Sequence, residues 1–118
     1  MYTLLRHSEQ LAQLRDSPDL IRSAVEELLR YESPVQFTTR MVKEDLGILG
    51  ARPRAGEPIL FILGAANRDR RQFPEPDRLD LKRASNPHLA FGAGPHFCIG
   101  NQLARLEGQV AILRLLQD

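Results

Sequence analysis

The sequence window FGAGPHFCIGNQLAR, residues 91–105, decides how the rest of the chain is interpreted. It is a segment punctuated by glycines that delivers the chain's one cysteine, Cys98, to the start of a helical pattern. Unpaired backbone N–H groups and the positive end of the helix dipole at such a position favour an anionic sulfur. Gly92, Gly94 and Gly100 permit backbone conformations and close approaches that a Cβ would block. The window therefore predicts a loop that presents a sulfur atom to a flat, rigid partner.

Three interpretations of Cys98 follow from the residues alone. A lone cysteine at a helix start is most commonly a small buried hydrophobic side chain. A zinc site that uses Cys98, His96 and His88 would lack a fourth ligand and the usual paired spacing. A nucleophilic or redox thiol needs a nearby base, and His96 is close enough in sequence to supply one. At this point all three remain open.

The patterns on the N-terminal side of this window and after it predict a mainly α-helical chain with a small antiparallel β-sheet. Helices are expected over 8–16 and 18–31, and each begins at a serine whose side chain can cap it. Residues 35–63 hold short β-prone runs separated by glycine and proline, as in a small sheet. A final helix begins near Ile99 and runs almost to the end of the chain. Between them, residues 69–97 show little periodicity, which is typical of a functional loop.

The composition is that of an ordinary globular protein. The chain has 118 residues, of which 42% are hydrophobic and 26% charged, so we expect one domain over 1–118. A formal net charge of +1 gives no support to a nucleic-acid partner or to an anionic membrane. No apolar run approaches the roughly 18–20 residues that span a bilayer, and the start of the chain lacks a secretory hydrophobic region. These features predict a cytoplasmic protein.

A second motif lies on the predicted helix over 18–31, where Glu27-Leu-Leu-Arg30 places opposite charges at i and i+3. On a helical wheel the apolar arc centres near Leu28, and Arg30 falls almost opposite to it. Periodicity alone therefore predicts a solvated pair that contributes only about 0.3–0.5 kcal/mol.

Together these windows resemble the C-terminal part of a cytochrome P-450, the heme-thiolate monooxygenase family, and in particular its soluble bacterial branch. FGAGPHFCIG matches that family's cysteine loop: Phe, two residues, Gly, three residues, Cys, one residue, Gly. Glu27 and Arg30 match its Glu-x-x-Arg helix. Arg78, in the run Pro-Asp-Arg, matches the third member of its structural triad. The resemblance covers nearly the whole chain.

The resemblance implies that Cys98 is the axial thiolate ligand of the iron in heme b. It places Glu27, Arg30 and Arg78 in a buried charge network that locks residues 69–97 beneath the heme. It also implies that several further residues contact the heme, two of them beside its propionates and the others around the ring: His96 and Arg40, and Phe91, Gly92, Gly100 and Ala104.

The implied reaction is insertion of one oxygen atom from O2 into a small organic substrate. Electrons would come from NAD(P)H through a reductase and a ferredoxin-type donor. The resemblance also implies a partial chain that lacks the family's distal helices. One alternative is a non-catalytic truncated remnant or interaction module without bound heme. Another is a thiol-based redox or zinc module built on Cys98 and His96.

Overall fold

A computed structural model describes residues 1–117 of the chain. The helices, in chain order, are α1 (Tyr2–Leu5), α2 (Ser8–Asp16), α3 (Ile21–Tyr31), α4 (Leu63–Ala66) and α5 (Asn101–Gln117). The strands are β1 (Thr38–Met41) and β2 (Pro58–Phe61), and 3-10 turns lie at Pro18–Leu20 and Gly94–His96. The prediction of a mainly helical chain with a small antiparallel sheet is confirmed.

The helices begin close to the predicted residues, but the serine caps are wrong. Ser8 already lies inside α2, and His7 precedes the helix without a capping side-chain bond. Ser17 contributes its carbonyl oxygen, which accepts a 3.1 Å bond from the Leu20 N–H, while its side chain makes no cap bond. A single 3-10 turn then leads into α3, and α1 is a helix that the sequence patterns did not predict.

The sheet has two antiparallel strands, with Thr38 of β1 opposite Phe61 of β2. Because side chains alternate along a strand, Thr38 and Arg40 lie on the same face. The β-prone run LGILG, residues 46–50, makes only an isolated bridge between Ile48 and Ala51, because the chain reverses there through Leu49 and Gly50, which have positive φ.

The hydrophobic core joins the first three helices to the irregular segment, residues 67–90, which leads into the cysteine loop at residues 91–100. Its buried side chains are Leu4, Leu14, Ile21, Ala24, Val25, Leu79 and Leu81. One face of α5 packs across α3, where Gly108 lies against Val25. Apolar side chains on another face of α5 stay at least 57% exposed: Leu103, Leu106 and Val110.

Glu27 and Arg30 on α3 are wholly buried, with exposures of 0% and 1%. Arg30 forms a bidentate pair, in which Nε and Nη2 donate to the two Glu27 oxygens at 2.8 Å each. Its Nη1 donates to the carbonyl oxygens of Asn67 and Pro76, also at 2.8 Å. The solvated pair predicted from the helical wheel is wrong, because the irregular segment covers the polar face of α3 with its own carbonyl groups.

The third member of this network is Arg83 and not Arg78. Arg83 Nε donates to the two Glu27 oxygens at 3.0 and 3.2 Å, and its side chain is only 9% exposed. Arg78 instead donates to Glu75 Oε2 at 3.1 Å on the surface. Only its carbonyl oxygen joins the network, where it accepts from Arg30 Nη2 at 3.2 Å. The Arg78 assignment fails because the loop turns the backbone of this residue, rather than its side chain, toward Arg30.

Replacing each arginine by alanine separates the two assignments. Arg83→Ala removes a charge-assisted partner of the buried Glu27 carboxylate, so we expect the free energy of unfolding to fall by about 2 kcal/mol. Arg78→Ala removes an exposed pair and should change it by no more than about 0.5 kcal/mol. Urea unfolding followed by far-UV circular dichroism measures both values, and equal losses would contradict the assignment of Arg83.

Candidate functional site

The loop before α5 folds back so that Phe91 and Cys98 are joined through their backbones. The Cys98 N–H donates to the Phe91 carbonyl oxygen at 3.0 Å. This reversal depends on Gly92 and Gly94, whose φ angles of +72° and +70° are ones that side chains with a Cβ rarely adopt. The glycines of the motif therefore shape the loop that carries the cysteine.

The other end of the loop is fastened to the first residue of α5. The Cys98 carbonyl oxygen accepts from the Asn101 N–H at 3.3 Å and from Asn101 Nδ2 at 2.7 Å. Asn101 is itself only 9% exposed. Both backbone groups of Cys98 are thus held, while its thiol is exposed.

This geometry decides among the three interpretations of Cys98. The buried hydrophobic interpretation is wrong, because the loop lifts the thiol out of the core. The zinc interpretation is also wrong, since no group of three His, Cys, Asp or Glu side chains within residues 1–117 could hold a metal ion. His88 instead donates from Nε2 to Glu26 at 3.0 Å and accepts the Ala90 N–H on Nδ1 at 3.2 Å. For the nucleophilic interpretation, the hydrogen bonds within residues 1–117 include none between the Cys98 thiol and the His96 ring; the side-chain bond at Cys98 goes to its carbonyl oxygen.

A cavity of about 380 Å³ lies beside the Cys98 thiol. Its apolar wall comes from α3, the segment before β1, the start of α4 and the cysteine loop, through Leu29, Pro34, Val35, Leu63 and Ala90. All of the predicted heme-contacting residues except Gly100 line it: Cys98, His96, Arg40, Phe91, Gly92 and Ala104. Gly100 lies close to the sulfur, and a Cβ there would be 4.0 Å from Cys98 Sγ, an ordinary van der Waals distance.

The polar groups of this cavity fit heme. The thiol of Cys98 is a soft ligand suited to iron. Arg40 Nη1 donates to Thr38 Oγ1 at 3.1 Å and to the Thr39 carbonyl oxygen at 2.8 Å. None of the residues that line the cavity carries a carboxylate that could neutralise the Arg40 guanidinium. Apolar walls, one thiol and one unneutralised guanidinium suit a ligand that is itself apolar with carboxylates at its edge. This lining is therefore compatible with the heme-thiolate site that the sequence predicts.

A second ionic cluster, which the sequence patterns did not reveal, joins α3 to α5 next to the cysteine loop. Arg105 donates to the two oxygens of Glu26 at 2.6 and 3.0 Å, across 79 residues of sequence. Its guanidinium carbon also lies 4.5 Å from the centre of the Phe91 ring. The separation explains why no local pattern could reveal the pair.

Both titratable partners in this cluster have shifted pKa values. Burial alone would raise the pKa of Glu26, but hydrogen bonds and charges from Arg105 and His88 outweigh it, so the pKa lies below the usual 4.5. Burial lowers the pKa of His88 below its usual 6.5, despite the favourable hydrogen bond to Glu26. Protonation of Nδ1 would also turn this atom from an acceptor into a donor, and the hydrogen bond from the Ala90 N–H would be lost.

These shifts predict a loss of stability on acidification. Because folding lowers the pKa of His88, the unfolded chain binds a proton more readily, and His88 weakens the fold as pH falls below its usual 6.5. Glu26 adds a second loss as pH falls below its usual 4.5 and through its lower folded value. Urea midpoints measured from about pH 7.5 to about pH 5.5 should fall in the wild type and change less in His88→Gln. An unchanged slope in the variant would contradict the assignment to His88.

Comparison with known proteins agrees with this class of site. The family model described as Cytochrome P450 matches residues 5–118. The biotin biosynthesis cytochrome P450 of Bacillus subtilis (strain 168) is 57% identical over 114 residues, which are 97% of this chain and 29% of that protein. The 6-deoxyerythronolide B hydroxylase of Saccharopolyspora erythraea is 47% identical over 114 residues, 97% of this chain and 28% of that protein.

The structural comparison gives the same result. The crystal structure of P450BioI, in complex with an acyl carrier protein ligated to hexadec-9Z-enoic acid, superposes with a TM-score of 0.94. The sequence identity is 56%, and the match covers 98% of this chain and 30% of that one.

The chain belongs to the cytochrome P450 family. It spans less than a third of the length of these relatives, because the match covers only 28–30% of each relative's own residues. The family uses heme b, and its members include proteins named as monooxygenases and hydroxylases. Among the helices within residues 1–117, none is long and apolar enough to cross a membrane.

Proposed function

We propose that residues 1–118 form the C-terminal heme-binding segment of a cytochrome P450 monooxygenase, with Cys98 as the thiolate ligand of the iron. The observation that carries this proposal is the exposed thiol of the chain's one cysteine at the edge of an apolar cavity. The backbone bonds to Phe91 and Asn101 support it, because they fix where the sulfur lies without using the sulfur itself.

The other cavity residues would hold the rest of the heme. Arg40 and His96 would bind its carboxylates, since both can donate hydrogen bonds and Arg40 has no acidic partner in the cavity. Phe91, Gly92 and Ala104 would contact the ring and keep water from it. Gly100, which lies close to the Cys98 sulfur, would contact the ring beside it.

Bound heme supplies the chemistry of O2 activation, by which one oxygen atom is inserted into a small organic substrate. We propose electron supply from NAD(P)H through a reductase and a ferredoxin-type donor, and a cytoplasmic location. The chain's own residues bind and orient the cofactor: the cysteine loop presents the sulfur, and the wall formed by α3 and the start of α4 excludes water.

A non-catalytic remnant or interaction module without heme is the second candidate. It is favoured by the exposed apolar side chains Leu103, Leu106 and Val110 on α5, since exposed apolar patches mark interaction surfaces. Heme binding by the isolated chain separates the two candidates.

Cys98→Ser is the first test of the proposal. The purified chain, loaded with heme and reduced under carbon monoxide, should show the long-wavelength Soret band of a thiolate-ligated iron, because Cys98 is its one thiol. Cys98→Ser should lose this band, while Arg71→Ala, a change in an exposed ion pair, should keep it. A wild-type chain that binds no heme, or binds it without this band, would contradict the proposal and favour the remnant.

Arg40→Ala tests the carboxylate contact. Loss of a charge-assisted bond should weaken heme binding by about tenfold, as measured by spectroscopic titration of the heme-free chain. Arg52→Ala is the matched control, because Arg52 is an exposed arginine outside the cavity lining. Equal effects of the two substitutions would show that general positive charge, and not Arg40, binds the carboxylate.

A further inference from the structure

The geometry points to Glu26 as a positioning residue for Cys98 that acts through Arg105 and Asn101. The inference rests on the proposed function in one respect, that the sulfur of Cys98 is the iron ligand. The positioning itself concerns the loop of the heme-free chain and can be measured there.

A continuous set of hydrogen bonds leads from Glu26 to the backbone of Cys98. Arg105 binds the Glu26 carboxylate through Nε and Nη2, at 2.6 and 3.0 Å. Its Nη1 donates to Asn101 Oδ1 at 2.6 Å, and Asn101 Nδ2 donates to the Cys98 carbonyl oxygen at 2.7 Å. Because a guanidinium only donates, it holds the Asn101 amide with its oxygen toward Arg105 and its nitrogen toward Cys98.

The same pair supports the other side of the loop. The Arg105 guanidinium lies against the Phe91 ring, and the Phe91 carbonyl oxygen accepts the Cys98 N–H. His88, three residues before Phe91, donates to Glu26 Oε2 at 3.0 Å. Both backbone groups of Cys98 are therefore connected to one carboxylate.

Burial distinguishes this role from that of the neighbouring carboxylate. The side chain of Glu27 is 0% exposed and binds the irregular segment through Arg83, so its loss is a loss of the fold. Glu26 and Arg105 are 28% and 22% exposed and lie outside the hydrophobic core. Loss of the Glu26 carboxylate should therefore loosen the cysteine loop more than it weakens the whole chain.

The test compares Glu26→Ala and Asn101→Ala with Asp69→Asn, a control that breaks an exposed pair with Arg71. Amide hydrogen exchange of the heme-free 118-residue chain should be about tenfold faster over residues 91–101 in the first two variants and unchanged in the control. Glu26→Gln, which keeps an acceptor for Arg105, should fall between Glu26→Ala and the wild type. The double variant should be less affected than the product of the two single effects, because both changes break one connection.

A heme readout tests whether the loop position matters to the ligand. In the reduced carbon monoxide complex, Glu26→Ala should lower the fraction of thiolate-type Soret absorbance and weaken heme binding by about tenfold relative to the wild type. A wild-type chain without that band would overturn the proposed function, and loop exchange would still decide the positioning role.

Two results would overturn the inference. One is exchange over residues 91–101 in Glu26→Ala that equals the wild type. The other is exchange that rises by the same factor over α2 and the core of α3, which would show a general loss of stability and no specific effect on the loop.

Discussion

The Glu27 carboxylate is buried in a position where water cannot solvate it, and an unpaired charge there would cost several kcal/mol. Its two oxygens must therefore find donors within the chain. Arg30 supplies two, Arg83 another, and the backbone N–H of Asp80 a further one at 3.0 Å. Since these partners come from both α3 and the irregular segment, satisfying one charge fixes how that segment runs across α3.

Hydrogen bonds connect this network to the start of the cysteine loop. Arg30 donates to the Asn67 carbonyl oxygen, and Asn67 is itself fully buried. The side-chain oxygen of Asn67 accepts the Leu89 N–H at 2.7 Å, and its nitrogen donates to Ser33 Oγ at 2.7 Å. Leu89 lies two residues before the loop that carries Cys98, so the position where the loop begins is fixed. Two adjacent residues of α3 therefore bind different parts of the chain: Glu27 binds the irregular segment, and Glu26 binds α5.

Much of the fold followed from local patterns. The helix over 21–31 and the final helix have apolar residues at helical spacing, and that spacing depends only on neighbouring residues. The positive φ angles of Gly92 and Gly94 likewise reflect a local freedom that the sequence displays directly. The short helix α1 was not predicted and the serine caps were predicted wrongly; α1 and α2 are held instead by core residues Leu4 and Leu14, whose burial depends on distant parts of the chain.

By itself, the sequence determined the cysteine loop, the main helices and the family to which they belong, because each depends on residue type at short and fixed spacing. Which arginine reaches Glu27, and the pairing of Glu26 with Arg105, depend on the tertiary structure alone. The partners Glu27 and Arg83 are 56 residues apart, and Glu26 and Arg105 are 79 apart. No periodic pattern relates such residues, since their meeting depends on how the intervening chain closes and on which side chains it leaves without water.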